Sequence, residues 1–527
     1  MAKQCRKVAV GAFFAVLMLI GLLTLCDYSA SYDELPQQAI LRANAKEYAL
    51  ALQKAGINCP AWLALEDAAI SESVERDHGI APMYLYLPFL TTASQHTAST
   101  LWSLIVWLWF MAGLWSLYAL ARRLGLNRFF ACVATLLLYL SPRFFAHAHF
   151  NDKDLVMLCL MLVCLWLGAR LLEKLCWRRA LVFSLAGALA TNLRVSGLLA
   201  WGCICLSAVV LLSVRRQWNR RRIGLAVMTL FSFLAFYLLL TPACWSHPGQ
   251  YFSYLFSNSA AFSRWKGVLF FRGAEFHIPD NPLPFYYLPY LMVVTLPLYT
   301  LPLGLVGLVK LVLQTRREPK EFFSKPNGLL LWSAAICWLL PIVAYILVRP
   351  VVYNGWRHFY FACAGLLILA AYGIGVLWRL CQRRVWLRRA YAAALCCCFA
   401  LSGVGMMQNH PYEASYYNLL CSRGAMETDY WNTGCTGALK QLAASPNRNQ
   451  SLPLEVGCYF FDLQNARFKL DEGLKSRLTT TTAKDAPYLY YIENYVQVYN
   501  VPEPEGYHTL FQVYSYGRLI GTMYEQD

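Results

Sequence analysis

The chain has 527 residues, 58% of them hydrophobic and only 14% charged, where soluble domains carry about 25% charged residues. Apolar runs long enough to cross a membrane recur almost to residue 410, which excludes a cytosolic soluble enzyme, a fibrous protein and a disordered scaffold. The formal charge of +17 would suggest nucleic acid in a soluble chain. In a membrane chain its distribution sets orientation instead, and no nucleic-acid partner is expected.

The apolar runs lie near 8–26, 98–120, 129–146, 155–172, 180–214, 223–241, 285–309, 328–348, 358–378 and 390–408. Lys3, Arg6 and Lys7 before the first could open a cleavable signal peptide, but Tyr28 fits a small-residue cleavage site poorly, so the run reads as an uncleaved anchor. Leu25 before Cys26 likewise argues against a lipoprotein site. The run 180–214 is too long for one crossing, and Thr191, Asn192, Arg194 and Gly197 at its middle suggest two short helices joined by a tight turn, giving eleven spans. With the N-terminus inside, the inner segments 1–7, 121–128, 170–179, 215–222, 310–327 and 379–389 hold 25 basic residues against three acids. That asymmetry is what the positive-inside rule requires. One span over 180–214 would put Arg215, Arg216 and Arg220 to Arg222 outside.

The division expected is a transmembrane domain over 1–409, with long outer loops at 27–97 and 242–284, and an extracytoplasmic α/β domain over 410–527. In the first loop, Leu35 to Ala55 reads as an amphipathic helix whose Ile40, Leu41, Tyr48 and Leu52 suit the interface. In the tail, turn residues separate β-like runs such as Tyr488–Ile492 and Thr509–Tyr514. Nineteen cysteines suggest disulfides or metal, but fourteen lie in spans or at inner edges, where cysteine is usually a small apolar residue. Of the outer ones, Cys59, Cys421, Cys435 and Cys458 could pair. No CxxC, H-E-x-x-H, P-loop or G-x-G-x-x-G is present. Asn449-Gln450-Ser451 is a glycosylation sequon too common to weigh.

Three polar clusters stand at the outer ends of the spans. Tyr32-Asp33-Glu34 follows the first span closely. The plain explanation is solvated loop acids; the functional one is a general base with an orienting neighbour. Ser141 to Asp154 packs His147, His149, Asp152, Lys153, Asp154 and Arg143 between two helices with no flexible spacer, where ionisable groups are expensive unless paired or lining a wet cavity. Arg349, Tyr353, Asn354, Trp356, Arg357 and His358 precede the tenth span. Headgroup anchoring with a belt tryptophan would explain Trp356; guanidinium groups on the sparsely basic outer side suit a lipid phosphate better. Arg194 is a weaker candidate of the same kind. Together these clusters suggest chemistry on a lipid-phosphate substrate outside the cytoplasm.

The acidic pair after span one, the stretch S-P-R-F-F-x-H-x-x-F-N-x-K-D after span three, N-G-W-R-H-F-Y-F entering span ten, and Tyr416-Tyr417-Asn418 with Glu427-Thr428-Asp429-Tyr430-Trp431 in the tail resemble the bacterial members of the dolichyl-phosphate-mannose protein mannosyltransferase-like group. These belong to the GT-C superfamily of integral-membrane glycosyltransferases. The resemblance covers nearly the whole chain and says nothing about the sugar. It implies an inverting transfer of a hexose or pentose from a polyprenyl-phosphate donor to a lipid, protein or glycan acceptor on the outer face of the cell membrane. It implies Asp33 as general base with Glu34 beside it, Asp152, Lys153 and Asp154 shaping the sugar and phosphate pocket, and Arg357 and His358 holding the donor phosphate; Arg349, from the cluster itself, is a further candidate on the donor phosphate side. No divalent metal or other cofactor is implied, although the clustered acids leave a metal open. Ser422-Arg423-Gly424 departs from a more glycine-rich stretch in the family, which puts the acceptor preference in doubt. The competing class is a transporter or flippase of envelope precursors, which would show inverted repeats and broken helices with charges near the bilayer midplane; the span boundaries above leave every acid in a loop.

Overall fold

Every apolar run of the sequence forms helix in the computed structural model, which describes residues 2–63, 67–91, 93–260, 265–421, 426–428, 430–431, 435–445, 453–458, 463–481, 488–491 and 503–527. The helices are α1 (Ala2–Thr24), α2 (Glu34–Lys54), α3 (Gln95–Arg123), α4 (Arg128–Tyr139), α5 (Pro142–His147), α6 (Asp154–Glu173), α7 (Trp177–Leu193), α8 (Gly197–Val214), α9 (Arg220–Leu240) and α10 (Pro248–Ala260). They continue as α11 (Tyr287–Thr295), α12 (Thr300–Arg317), α13 (Pro319–Phe323), α14 (Pro326–Val348), α15 (Cys363–Cys381), which a 3-10 turn from Arg357 leads into, and α16 (Val385–Asn409). Seven described helices are long and apolar enough to cross a membrane, or eight with a bent pair counted as one. The protein is a multi-pass membrane protein.

The sequence explains where helices begin and stop. The side chains of Ser94, Asn127 and Asn219 cap α3, α4 and α9 by accepting from free backbone N–H groups. The long run 180–214 divides at 194–196 as expected, with Asn192 turned out of the helix ladder to accept from Ala81 N and donate to Leu240 O and Thr241 Oγ1. Two other runs, expected as single spans, are broken. Pro142 stops α4, and Pro297 forces Leu296 into an extended conformation so that α11 and α12 meet at 113°. Asn418 of the tail satisfies the carbonyls at that break, donating to Val293 O at 2.7 Å and Leu296 O at 2.8 Å.

Packing is closest between α12 and α15. A Cβ on Gly307 would meet Leu369 O at 2.1 Å, and one on Gly373 would meet Leu303 O at 2.1 Å, so each helix presents its glycine where the other's backbone touches it. The basic segments gather at one end of the bundle: Arg123 pairs with Glu173 at 2.6 Å, Asn327 donates to Arg123 O, and Arg215 donates to Ser324 O. From Glu173 back to Asp154, α6 runs 20 residues, about 30 Å. The three polar clusters therefore lie at the opposite membrane face from the basic loops.

Two expectations are corrected here. Helix α2 forms, but it does not rest on the interface: Ile40 and Leu41 are buried in the core together with Gln37, Gln38, Asn44 and Glu47. Trp356 is buried too, donating to Thr295 Oγ1 at 2.8 Å, and is no belt residue. The loop 242–284 holds α10 and a hairpin of β1 (Gly267–Phe271) and β2 (Ala274–Ile278).

Beyond α16, Ala414, Tyr417, Cys421, Met426 and Trp431 pack into the core of the helical body. A separate core begins at Cys435, in α17 (Cys435–Ala443). There α18 (Gln464–Arg467) and α19 (Glu472–Arg477) accompany a mixed five-stranded sheet of β3 (Leu454–Cys458), β4 (Leu478–Thr481), β5 (Tyr488–Tyr491), β6 (Tyr507–Ser515) and β7 (Arg518–Gln526), ordered β4-β3-β5-β7-β6. The small α/β tail domain expected from the turn-separated strands is present. Cys59 and Cys421 are free thiols; Cys458's side chain, the sequon at Asn449, Ser422-Arg423-Gly424 and Asp429 lie outside what is described.

Candidate functional site

The site is a cavity of about 860 Å³ at the end of the bundle remote from the basic loops, walled by the start of α2, the segment 67–78, the 194–196 turn, Lys153 and the segment 350–361. Asp33 sits at the mouth of α2, its carboxylate on the cavity. Burial raises its pKa from the ordinary carboxylate range, against the pull of Arg357 and Lys153 and with Asp154 adding to the rise. An aspartate so placed holds a proton more readily than one in water, which suits a base.

Across from Asp33 stands a cationic wall. Asp154, with no side-chain exposure, receives Arg194 Nη2 at 2.5 Å on one oxygen and Arg357 Nη1 at 3.0 Å on the other. One carboxylate thus aims two guanidinium groups into the cavity, which both line. Arg357 is further held between rings, its guanidinium carbon 4.7 Å from the Trp431 centroid and 5.2 Å from those of Tyr353 and Tyr430. The Nε of each arginine is buried with no partner. Lys153 and His358 complete the wall, the histidine edge-on to Tyr353 at 4.7 Å. Burial, and then Arg194, lower the Lys153 ammonium below the usual lysine range.

The structure separates residues that adjoin in sequence. Glu34 turns away from the cavity to accept from Gln38 Nε2 and Ser99 Oγ, both at 3.2 Å, and burial pushes it up to about 7. Asp152 is buried behind Lys153 with Oδ2 unpartnered; burial raises its pKa, Lys153 opposes, and the neighbouring Asp33 and Glu34 carboxylates add to the rise. Arg349 is outside the site altogether, exposed at the end of α14 with its guanidinium 5.9 Å from the Phe285 ring. His147 and His149 are buried packing residues; His149 Nδ1 donates to Phe145 O, leaving Nε2 to accept from Thr24 Oγ1. Arg143 donates to Tyr416 O and lies over Tyr417.

Two participants were undervalued or missed in the sequence. Arg194 was legible as the one cation in the turn of a split span, yet its pairing with Asp154, forty residues earlier, was not. Segment 67–78, with Asp77 accepting from Asn258 and His78 paired to Glu75 at 2.5 Å, forms the opposite wall; nothing distinguishes it in sequence from an ordinary acidic loop. Glu427 accepts from Gly355 N at 2.5 Å and is pushed up to about 8 by burial, fixing the turn before Arg357. Among the described residues no group of three or more His, Cys, Asp or Glu is placed to hold a metal ion.

No family profile matches the chain, and no curated protein matches it in sequence. Among solved structures it is similar to the "Crystal Structure of ArnT from Cupriavidus metallidurans in the apo state", at 12% identity and a TM-score of 0.46 with 98% of each chain covered. A likeness that loose leaves the functional reading to the site.

Proposed function

We propose that the protein is an inverting membrane glycosyltransferase that moves a sugar from a polyprenyl-phosphate donor to an acceptor on the outer face of the membrane. The observation that carries this reading is one cavity in which a carboxylate, Asp33, faces two arginines held on a shared aspartate. In the reaction, Asp33 takes the proton of the acceptor hydroxyl or amine while that atom attacks the anomeric carbon. The bond from the anomeric carbon to the phosphate oxygen breaks, its electrons pass to the phosphate, and the growing charge is met by Arg357, Arg194 and Lys153. Product glycoside, polyprenyl phosphate and protonated Asp33 result. The basic loops face the cytoplasm in this reading, placing the N-terminus inside and the tail domain outside.

A transporter finds support in the broken α11–α12 pair. Its break is lined by Leu296, Pro297, Leu298 and Tyr299, none of them charged, and the ionisable groups gather at the membrane edge instead. Asp33→Asn is nearly isosteric and cannot take a proton, so transfer of radiolabelled sugar from polyprenyl phosphate should fall about 10²–10⁴-fold in membranes holding equal amounts of protein. Transfer at the parental rate would remove Asp33 as the base. Loss of the gene should also leave unconsumed donor lipid, visible by thin-layer chromatography.

A further inference from the structure

The tail domain touches the helical body at a telling place. The eight residues from Leu25 to Tyr32 join α1 to Asp33, and the tail or the turn leading to it holds most of them. Lys469, 2% exposed, donates to Leu25 O at 3.3 Å and to Ser103 Oγ of α3 at 2.6 Å. His410 and Lys440 pair with Asp27 at 3.1 and 3.7 Å. Tyr28 donates to Glu413 Oε2 at 2.6 Å, Ser29 and Thr436 share a hydrogen bond at 2.7 Å, and Asn465 donates to Ser31 O at 2.9 Å.

A lysine ammonium carried on a domain of its own and buried in another needs a reason, because its desolvation is costly unless it is paired and hydrogen-bonded. Packing alone would be served by methionine or leucine. Of the two carboxylates whose charge reaches it, Glu34 and the linker's Asp27, the stronger influence is Glu34, the residue after Asp33. Glu34 is otherwise faced by Gln38 of its own helix, Ser99 of α3, Tyr86 and Asp152. Lys469 thus joins the backbone of the linker to the side chain of Ser103 on α3, one turn from the Ser99 that donates to Glu34 at the start of α2.

We propose that Lys469 is a positioning residue of the catalytic centre, and that the tail domain is the clamp that aims Asp33 into the cavity. The proposal rests on Asp33 acting as the base. Lys469 touches no substrate; it ties the linker at Leu25 to α3 at Ser103, and α3 through Ser99 holds Glu34 at the head of α2, so the carboxylate between linker and helix has one direction. Losing that constraint lets Asp33 drift from the acceptor while the phosphate wall, built on α6, the 194–196 turn and the segment 350–361, stays in place.

The test combines kinetics with amide exchange on the purified full-length protein. Lys469→Met should lower kcat about tenfold to a hundredfold, leave the donor KM within about twofold, and speed amide exchange across 25–34 without changing it in α6. Lys469→Arg, which can still donate to Leu25 O and Ser103 Oγ, should recover most of the rate. In the Glu34→Gln background, Lys469→Met should cost less than in the parent, because the partner charge is already gone. Unchanged kcat in Lys469→Met, a loss confined to donor KM, or unaltered exchange across 25–34 would each overturn the proposal. Should Lys469→Met fail to accumulate, Asn465→Ala, which removes only the hydrogen bond to Ser31 O, must show the same exchange change in smaller measure or the clamp is refuted. A parent that transfers no sugar from any polyprenyl-phosphate donor would overturn the functional reading instead, while the exchange measurement would still decide the clamp.

Discussion

Arg357 is held by one carboxylate oxygen and three aromatic rings, an arrangement that uses the flat guanidinium group as well as its charge. Lysine keeps the charge and loses the rest. Arg357→Lys should therefore fold and raise the donor KM about tenfold, equivalent to ~1.4 kcal/mol; a donor KM equal to the parent's would reduce Arg357 to a headgroup anchor. Asp154→Asn should behave differently, since it strips both arginines of their buried counter-charge. Breaking a buried pair costs about 3–5 kcal/mol, so reduced yield and a lower melting temperature should accompany lost activity. The raised pKa of Asp33 gives a pH signature: in the proposed mechanism deprotonated Asp33 is the active form, so kcat/KM should fall as pH drops through a value above the ordinary aspartate pKa of about 3.9. An acid limb at the ordinary value would point to another base. At this scale the sequence told residue types but not directions. Asp33 and Glu34 adjoin, yet a helix start sends one to the cavity and the other to Ser99, and Arg349 looked equal to Arg357 until the left-handed turn at its own position pointed it outward.

Elements follow from the sequence where a local rule governs them. The cut at 194–196 and strands of the tail such as those near Tyr488 and Thr509 were legible because turns and apolar length act locally. The breaks at Pro142 and Pro297 carried a signal too, but a run's hydropathy outweighed it. Helix α2 was misplaced because amphipathic periodicity says which face is apolar and nothing about what covers the polar one; here Asn44 accepts from Tyr84 and Glu47 accepts from Ser71 N. The join of α16 to the tail makes a prediction of its own. His410 donates to Asp27 at 3.1 Å and Glu413 at 2.9 Å, and these partners, against burial, hold its imidazolium up to about 9. A histidine pKa raised on folding stabilises fully below the unfolded value of about 6.5 and stops doing so as pH rises through the folded one. The melting temperature should fall between pH 7 and 10 more steeply in the parent than in His410→Gln; parallel curves would mean the ion pairs contribute nothing.

For the molecule as a whole, charge asymmetry was the most informative sequence feature, and the fold turns it into geometry by gathering the basic loops at one end and the cavity at the other. A reporter active only outside the cytoplasm should be active when fused after Asp527 and silent after Arg222; activity after Arg222 would reverse the orientation proposed. The two arginines anchored on Asp154 also bear on turnover. In the proposed reaction a sugar phosphodiester brings about one negative charge to that wall, but the polyprenyl phosphate left behind brings close to two at pH 7, its second pKa being about 6. A fixed positive field that cannot relax, because Asp154 grips both guanidinium groups, holds the spent carrier more firmly than the fresh one. If the protein runs the proposed reaction, departure of the empty lipid should be the slow step of the cycle, and added polyprenyl phosphate should compete with donor at concentrations below the donor's own KM.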